Sequence, residues 1–197
     1  MSPSPVWHPF TQHGLGEPIP LIERAEGAFL IGADGRRWID AISSWWVTTH
    51  GHCHPRIMAA IAEQAGRLDQ LIFAGWTPQP AQALAAGLTA VMPAGLTRVF
   101  FSDSGSTSVE VALKMALGFW RNREEARHRI VVMEHSYHGD TIGAMSVGAR
   151  GVFNRAYEPL LFDVTTVPFP AAGAEQATYD ALEAACRAGA AAFIVEP

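Results

Sequence analysis

Cysteine is scarce in this chain, and so are the sequence features of an exported or membrane protein. Cys53 and Cys186 are the only cysteines among 197 residues, and they lie far apart without a C-x-x-C pair. This excludes a disulfide framework and suits a reducing compartment. No window approaches the roughly 18 unbroken apolar residues of a membrane span, and the N-terminus lacks the basic and then apolar order of a signal peptide. We therefore expect a soluble cytoplasmic protein with no membrane partner.

Positive charge is also in short supply. The chain has 14 lysine and arginine residues against 19 aspartate and glutamate residues, a formal net charge of −5. No basic block alternates with aromatic residues, so we expect no nucleic-acid partner. The motifs G-x-G-x-x-G and G-x-x-x-x-G-K-[ST] are missing as well, which excludes the commonest dinucleotide and nucleoside triphosphate loops. What is abundant is apolar sequence, 49% of the residues, which is ample for a buried core.

The first part of the chain predicts a hairpin followed by helices. Residues 28–31 and 37–41 are short strand-like runs on either side of a Gly-Ala-Asp-Gly turn. Helices are predicted over residues 55–71, where a proline stands in the permitted first turn, and over residues 79–92.

The rest of the chain alternates between strands and helices. Helices are predicted up to about Trp120 and over residues 179–187, and strands over 99–101, 130–133, 164–167 and 192–195. This alternation predicts an α/β fold with a mostly parallel sheet covered on both faces. The sequence stops directly after the last apolar run with nothing to cover its far side. We therefore expect a fragment of a longer α/β protein.

A loop rich in hydroxyl groups, residues 102–107, leads into a predicted helix. Free N–H groups at the helix start, a glycine and four hydroxyls suit a phosphate group. Two simpler interpretations stay open. Ser106 or Thr107 caps the helix without any ligand, and Glu110 with Lys114, spaced i and i+4, forms a surface ion pair.

Tyr137 and His138 lie in the loop EHSYHGDT, directly after the predicted strand at 130–133. Because ligands of open α/β sheets bind at the carboxyl ends of strands, this pair predicts one face of a flat cofactor site. The alternative is a purely structural loop.

Three histidines at alternate positions, His50, His52 and His54, raise the possibility of a zinc site. They share a face only in an extended strand, which Gly51 and Pro55 interrupt, and no nearby carboxylate or second cysteine supplies a fourth ligand. We therefore expect no metal and interpret the cluster as a structural turn before the helix. The preceding Trp45 and Trp46 would point to opposite faces of a strand, so that one of them faces a cavity.

Four motifs, taken in order, resemble the subgroup III aminotransferases that use pyridoxal 5'-phosphate. They are Trp38-Ile39-Asp40 after the hairpin, Gly51-His52-x-His54-Pro55, Ser104-Gly105-Ser106 before Glu110 and Lys114, and Tyr137-His138-Gly139. The resemblance implies an α/β fold-type-I pyridoxal-phosphate-dependent transferase with a mostly parallel sheet in its large domain. It places residues 1–50, with the hairpin, in the small domain and residues 51–197 in a truncated first part of the large cofactor-binding domain.

The resemblance also implies roles for individual residues. The backbone N–H groups of Gly105 and Ser106, with the Ser106 hydroxyl, hold the cofactor phosphate. Tyr137 stacks on the pyridine ring and adjoins the substrate, and His138 lies beside it.

The resemblance places the chemistry elsewhere. The Schiff-base lysine, the aspartate at the pyridine nitrogen and the arginine for the substrate carboxylate are expected beyond Pro197, and Lys114 does not match the lysine's position. No catalytic residue is therefore expected in this chain, and the fragment alone is expected to be inactive. The complete enzyme is expected to be a homodimer.

Within the family, the paired tryptophans, the run WHPFT and the run SDSGST most resemble the branch that acts in biotin biosynthesis. That branch moves an amino group from S-adenosylmethionine to 8-amino-7-oxononanoate, whose long apolar chain suits an indole wall. The resemblance therefore places Trp45, Trp46 and Phe10 in the substrate pocket. Phe10 stands where similar enzymes have a tyrosine, which leaves the amino donor open between S-adenosylmethionine and lysine. A subgroup III aminotransferase for ω-amino acids or diamines and a short non-catalytic pyridoxal-phosphate-binding chain are the alternatives.

Overall fold

The computed structural model describes residues 4–196. The chain divides into two compact units, one that ends at Leu84 and one that begins at Ala85. The sequence-based boundary near residue 50 stays a prediction about the domains of a longer enzyme. None of the described helices is both long and apolar enough to cross a membrane.

The first unit contains a three-stranded antiparallel sheet. In the order of pairing, its strands are Ile22–Glu26 (β1), Phe29–Gly32 (β2) and Arg37–Ile39 (β3). The predicted hairpin is confirmed, with Leu30 opposite Trp38. Gly35 has a φ of +82°, and its N–H donates to the carbonyl of Gly32 at 2.9 Å, which closes the turn. β1 is not predicted from the sequence because the run IERAE has three charged residues in five and is largely exposed.

Both predicted helices of this region are present. They are Pro55–Ala65 (α1) and Gln79–Val91 (α2), the second of which crosses the point where the units divide. α1 is shorter than predicted and ends at Ala65, and the N–H of Gly66 still donates to the carbonyl of Ala62 at 3.3 Å. A single 3₁₀ turn, His13–Leu15, precedes the sheet.

The second unit is built on a three-stranded parallel sheet. In sequence order its strands are Ile130–Met133 (β4), Thr165–Val167 (β5) and Ala192–Ile194 (β6), and β4 lies in the middle. Its helices are Gly105–Asn122 (α3), Ile142–Val147 (α4) and Glu175–Arg187 (α5). The prediction of a parallel α/β sheet is therefore confirmed.

Both faces of β4 are buried, which explains why its sequence is continuously apolar. Val132 faces one side and packs with Leu113 of α3 and Val147 of α4. Val131 faces the other side and packs with Ala185 of α5. The alternation of successive side chains thus places a helix layer on each face of the sheet.

The predicted strand at residues 99–101 is wrong. Between α2 and α3 the described residues form no strand. An apolar run becomes a strand only when a neighbouring strand supplies the ladder of hydrogen bonds, and the run itself carries no information about that neighbour.

Candidate functional site

The start of α3 is capped by Ser104, which has extended backbone angles. Its hydroxyl oxygen accepts the N–H of Thr107 at 3.1 Å, and the Thr107 hydroxyl oxygen accepts the N–H of Ser104 at 3.0 Å. This reciprocal pair is a capping box. Ser104 is the N-cap residue and Thr107 completes the capping box, so the capping interpretation holds for Thr107 and not for Ser106, whose hydroxyl is left for another contact.

Two backbone donors at this helix start are unused. Among residues 4–196, no protein group accepts a hydrogen bond from the N–H of Gly105 or Ser106. A Cβ built on Gly105 has nothing within 4 Å, so the backbone there is open to an approaching group. Because the N-terminus of an 18-residue helix carries partial positive charge, this corner favours an anion.

Ser106 joins α3 to the loop after β4. The N–H of Asp140 donates to the Ser106 Oγ atom at 3.0 Å. Gly139 has a φ of +128°, and a Cβ there would lie 2.2 Å from the same Oγ atom, so only glycine fits. With its oxygen accepting from the loop, the Ser106 hydroxyl keeps its proton to donate to a ligand.

Glu110 makes a second contact between α3 and the segment after β4. Its Oε1 atom accepts the N–H of Gly143, in the first turn of α4, at 2.8 Å. A Cβ on Gly143 would lie 2.3 Å from the Oε2 atom, so the carboxylate packs directly against the glycine backbone. No ion pair among residues 4–196 joins Glu110 to Lys114, and the predicted surface pair is therefore wrong.

Tyr137 is held at both ends while its ring stays open. Its backbone N–H donates to the Glu196 Oε2 atom at 2.9 Å, and its phenol donates to the Asp140 Oδ2 atom at 2.9 Å. The hydrogen bond to Asp140, followed by burial and the charge of that carboxylate, raises the pKa of Tyr137 above 10.0. The ring is 60% exposed, so it can contact a ligand.

His138 is half-buried, and its Nε2 atom is buried without a hydrogen-bond partner in the part of the chain that the structure describes. Burial lowers the pKa of His138 below 6.5, and the negative charge of Glu196 opposes that shift only in part. The Thr141 hydroxyl is buried and unpartnered as well. Buried polar atoms normally have partners, so the loop offers two that a ligand or water can satisfy.

The first unit presents an aromatic cluster. The rings of Phe10 and Trp45 are stacked with centroids 6.0 Å apart and planes at 7°, and Trp46 lies 5.6 Å from Trp45 at a tilt of 41°. All three side chains are more than 60% exposed. The tryptophans lie in a left-handed turn rather than a strand, so the predicted opposite orientation does not apply.

The three histidines have separate contacts. The His52 Nε2 atom lies 2.8 Å from the Asp40 Oδ2 atom, whereas His50 and His54 meet edge to face with ring centroids 6.4 Å apart. Hydrogen bonds from the backbone and hydroxyl of Ser44, and then from His52, lower the pKa of Asp40 to about 2. No group of three His, Cys, Asp or Glu side chains suited to a metal ion occurs within residues 4–196.

A shallow groove of about 830 Å³ runs along α1, between its exposed apolar residues and the histidines before it. It is lined by His50, His54, Ile57, Ile61 and Leu68, among others. None of the predicted site residues takes part in it, so the groove and the predicted site are different places.

The carboxylates that hold the loop after β4 are not predicted from the sequence. Glu110 and Gly143 are 33 residues apart, and Glu196 and Tyr137 are 59 apart. No local spacing rule links residues at such separations. The one available signal is Gly139, since a glycine directly after Tyr137-His138 indicates a close backbone approach.

The chain is similar to known aminotransferases in sequence. A family model described as aminotransferase class-III matches residues 11–197. Adenosylmethionine-8-amino-7-oxononanoate aminotransferase of Synechococcus elongatus is 49% identical over 98% of this chain and 47% of its own length. The enzyme of the same name from Nitratidesulfovibrio vulgaris is 47% identical over 84% of this chain and 31% of its own length. The chain thus spans half or less of the curated relatives it matches.

Solved structures give the same result. The adenosylmethionine-8-amino-7-oxononanoate aminotransferase of Methanocaldococcus jannaschii superposes with a TM-score of 0.88 at 33% identity, over 96% of this chain and 44% of that one. A pyridoxal-phosphate-bound amine transaminase from an uncultivated Pseudomonas species gives a TM-score of 0.84 at 29% identity, over 100% and 49%. The fold is that of the fold-type-I pyridoxal-phosphate-dependent transferases, as the motifs predict. With its family model matched over nearly its whole length, the chain belongs to the class-III aminotransferases.

Proposed function

We propose that this chain forms the phosphate-binding and pocket-wall part of an enzyme that transfers an amino group from S-adenosylmethionine to 8-amino-7-oxononanoate. The observation that carries the proposal is the start of α3, where the N–H groups of Gly105 and Ser106 have no acceptor among residues 4–196 and the Ser106 hydroxyl lies against Gly139. The substrates are proposed because relatives 40–49% identical carry that enzyme name and because the paired tryptophans resemble its branch.

The residues of this corner fit pyridoxal 5'-phosphate. Gly105 and Ser106 donate to the phosphate, which the helix dipole favours and which no Cβ obstructs. Tyr137 offers its exposed ring to one face of the pyridine, and its bond to Asp140 fixes the ring's orientation. When bound, the cofactor acts as the electron sink for amino transfer.

His138 is placed beside Tyr137 as a neutral imidazole, because burial lowers its pKa. A neutral ring adds no positive charge next to the cofactor, and its unpartnered Nε2 atom is available for a hydrogen bond. We assign it a binding role and no proton transfer.

The substrate wall is assigned to Phe10, Trp45 and Trp46, and the family resemblance assigns Tyr137 to the substrate as well. An apolar chain covering these exposed rings would remove apolar surface from water, which favours binding of a long-chain oxo acid. Phe10 has no hydroxyl, so it can stack on a substrate but cannot donate a hydrogen bond to it. This observation keeps lysine as a second candidate for the amino donor.

We assign the catalytic lysine to a region of the enzyme that corresponds to the part of the relatives that this chain does not span. Lys114 is exposed on α3 and makes no contact with the Ser106 corner. We propose a homodimer, as the family resemblance implies. A cytoplasmic location is proposed from the two exposed free thiols, Cys53 and Cys186, which suit a reducing compartment.

The test is amino transfer by the protein purified from its native source. The enzyme is incubated with 8-amino-7-oxononanoate and, in parallel, with S-adenosylmethionine, lysine, an ω-amino acid or a diamine, and 7,8-diaminononanoate is measured by mass spectrometry. Formation of 7,8-diaminononanoate with S-adenosylmethionine supports the proposal. Its formation with lysine and with none of the other donors supports lysine as the amino donor.

Transfer to other acceptors only, from the ω-amino acid or diamine, would make the protein a different class-III aminotransferase. The intact mass of the native protein, measured on the same sample, tests the remaining alternative. A mass near 21.2 kDa without any transfer would mean a short pyridoxal-phosphate-binding chain.

A further inference from the structure

The turn that carries the two tryptophans has an unfavourable backbone. Ser43, Ser44, Trp45 and Trp46 have φ values of 48°, 47°, 69° and 67°, so four successive residues are left-handed and none is glycine. L-residues avoid this region because their Cβ crowds the following carbonyl oxygen. Such a conformation persists only where surrounding groups hold it.

Asp40 is the side chain that holds it, in addition to backbone hydrogen bonds from Trp46 to the Ile42 carbonyl at 2.8 Å and from Val47 to the Ser43 carbonyl at 3.0 Å. The Ser44 hydroxyl donates to the Asp40 Oδ2 atom at 2.7 Å, and the N–H of Ser43 donates to the Asp40 carbonyl at 3.3 Å. Within the described part of the chain, no other side chain forms a hydrogen bond with residues of the turn. The Asp40 side chain is only 6% exposed, so little water competes for its oxygens.

His52 holds Asp40 in turn. Its Nε2 atom donates to the same Oδ2 atom at 2.8 Å, because an ionised carboxylate can only accept. The backbone of His52 is fixed by two hydrogen bonds to Gly27, in the turn between β1 and β2, at 2.7 and 3.2 Å. Gly51 allows this approach, since its Cβ position lies 3.2 Å from the Gly27 Cα atom.

The position of the turn decides the position of the aromatic cluster. Trp45 is stacked on Phe10 and tilted against Trp46, so relaxation of the turn toward ordinary backbone angles would separate these rings. The hydrogen bonds that fix the two tryptophans therefore connect Gly27 to His52, His52 to Asp40 and Asp40 to their turn.

We propose that Asp40, fixed by His52 and bonded to Ser44, is a positioning residue that sets the aromatic wall and thereby the enzyme's preference for a long apolar acceptor. The inference rests on the proposed function for the identity of that acceptor. Within the described residues, Asp40 forms no hydrogen bond with any of the three rings, so its effect on the substrate passes through the backbone of the turn.

The experiment compares two hydroxyls of the same turn in the native holoenzyme. Ser44→Ala removes the hydroxyl bond to Asp40 and leaves the bond from the Ser44 backbone N–H, whereas Ser43→Ala is the matched control, because the Ser43 hydroxyl has no hydrogen bond among residues 4–196. We expect Ser44→Ala to raise the KM for 8-amino-7-oxononanoate about fivefold or more with kcat changed less than about twofold. Ser43→Ala should leave both within about twofold.

Asp40→Ala should raise the KM further than Ser44→Ala does. Asp40→Asn should bring the KM back toward the wild-type value, because an amide oxygen can still accept from Ser44 and His52. An equal loss in Ser43→Ala and Ser44→Ala, or a fall in kcat alone, would overturn the positioning role.

A second readout does not depend on the substrate. The near-ultraviolet circular dichroism of the tryptophans is recorded for the holoenzyme without acceptor, in wild type and both serine variants. A changed spectrum in Ser44→Ala only, with no transfer to 8-amino-7-oxononanoate in wild type, would retain the positioning role and reject the proposed acceptor. Identical spectra in all three proteins would reject the positioning role, whatever the acceptor.

Discussion

The Glu110 carboxylate accepts the backbone N–H of Gly143 at 2.8 Å, and this bond ties the middle of α3 to the first turn of α4. Glu110→Ala should leave a buried N–H without a partner, which costs about 1–3 kcal/mol. Glu110→Gln retains an acceptor oxygen and should cost less. The measurement is the thermal unfolding of the holoenzyme by calorimetry.

Lys114→Ala is the control for that experiment, and it should change stability by less than about 0.5 kcal/mol because the residue is exposed. Equal destabilisation by Lys114→Ala and Glu110→Ala would favour the surface ion pair over the contact with Gly143.

Gly139→Ala should disrupt the contact between Ser106, at the start of α3, and the loop after β4. The new Cβ would lie 2.2 Å from the Ser106 Oγ atom, at a φ of +128° that L-residues rarely adopt. We expect a loss of about 2 kcal/mol or more in stability together with weaker cofactor binding. Gly118→Ala, in the same α3 with nothing within 4 Å of its Cβ position, should instead stabilise the helix by up to about 1 kcal/mol. Similar melting temperatures for the two variants would contradict this account.

Ser106→Ala should weaken binding of pyridoxal 5'-phosphate by about tenfold, because it removes one hydroxyl donor and the acceptor for the Asp140 N–H. Equilibrium dialysis of the apoenzyme against the cofactor gives the dissociation constant. Ser108→Ala is the control, since that hydroxyl donates to the Ser104 carbonyl inside the same helix. Unchanged affinity in Ser106→Ala would remove the phosphate assignment.

Asp140→Asn should lower the pKa of Tyr137 toward 10.0. The hydrogen bond to the Asp140 carboxylate and its negative charge both stabilise the neutral phenol, so removing the charge makes the phenolate easier to form. The difference in phenolate absorbance between each protein and its Tyr137→Phe counterpart gives the titration. A Tyr137 pKa that is the same in Asp140→Asn and wild type would show that the contact does not hold the proton.

His138 should make the stability depend on pH on the acid side of 6.5. Its pKa in the folded protein is lowered by burial, so between that value and 6.5 the unfolded chain binds more protons than the folded one. Stability therefore rises with pH across this window and falls as the pH drops through it. The melting temperature of the wild type should rise more steeply with pH on the acid side of 6.5 than that of His138→Gln. Parallel slopes would contradict a buried neutral imidazole.

The secondary structure that could be predicted is the part set by short-range patterns. Residues 130–133 are continuously apolar because helices cover both faces of β4, and the Gly-Ala-Asp-Gly turn marks the hairpin before Trp38. The run at 99–101 carries the same apolar signal yet forms no strand, because pairing depends on a neighbour that the pattern does not specify.

The candidate site could be predicted in part for the same reason. Gly105, Ser106, Tyr137 and His138 stand in motifs whose order along the chain indicates the family, whereas α3 begins at Gly105, inside the loop predicted for residues 102–107. The contacts that arrange them could not be predicted. The carboxylate of Glu110 could equally have paired with Lys114 one turn later, and only burial of Gly143 beside it decides otherwise.

By itself, the sequence determined the class-III family, the α/β class and the residue types offered to a phosphate, because these depend on spacing within a few turns or on motif order. The tertiary structure alone decided that the Asp140 N–H bonds to Ser106, 34 residues away in the sequence, and that the His52 ring bonds to Asp40, 12 residues away. It also decided the left-handed backbone of Trp45 and Trp46, which their own preferences oppose. Such contacts form where burial brings distant segments together, and the free energy of burial belongs to the whole packed unit rather than to any short stretch of chain.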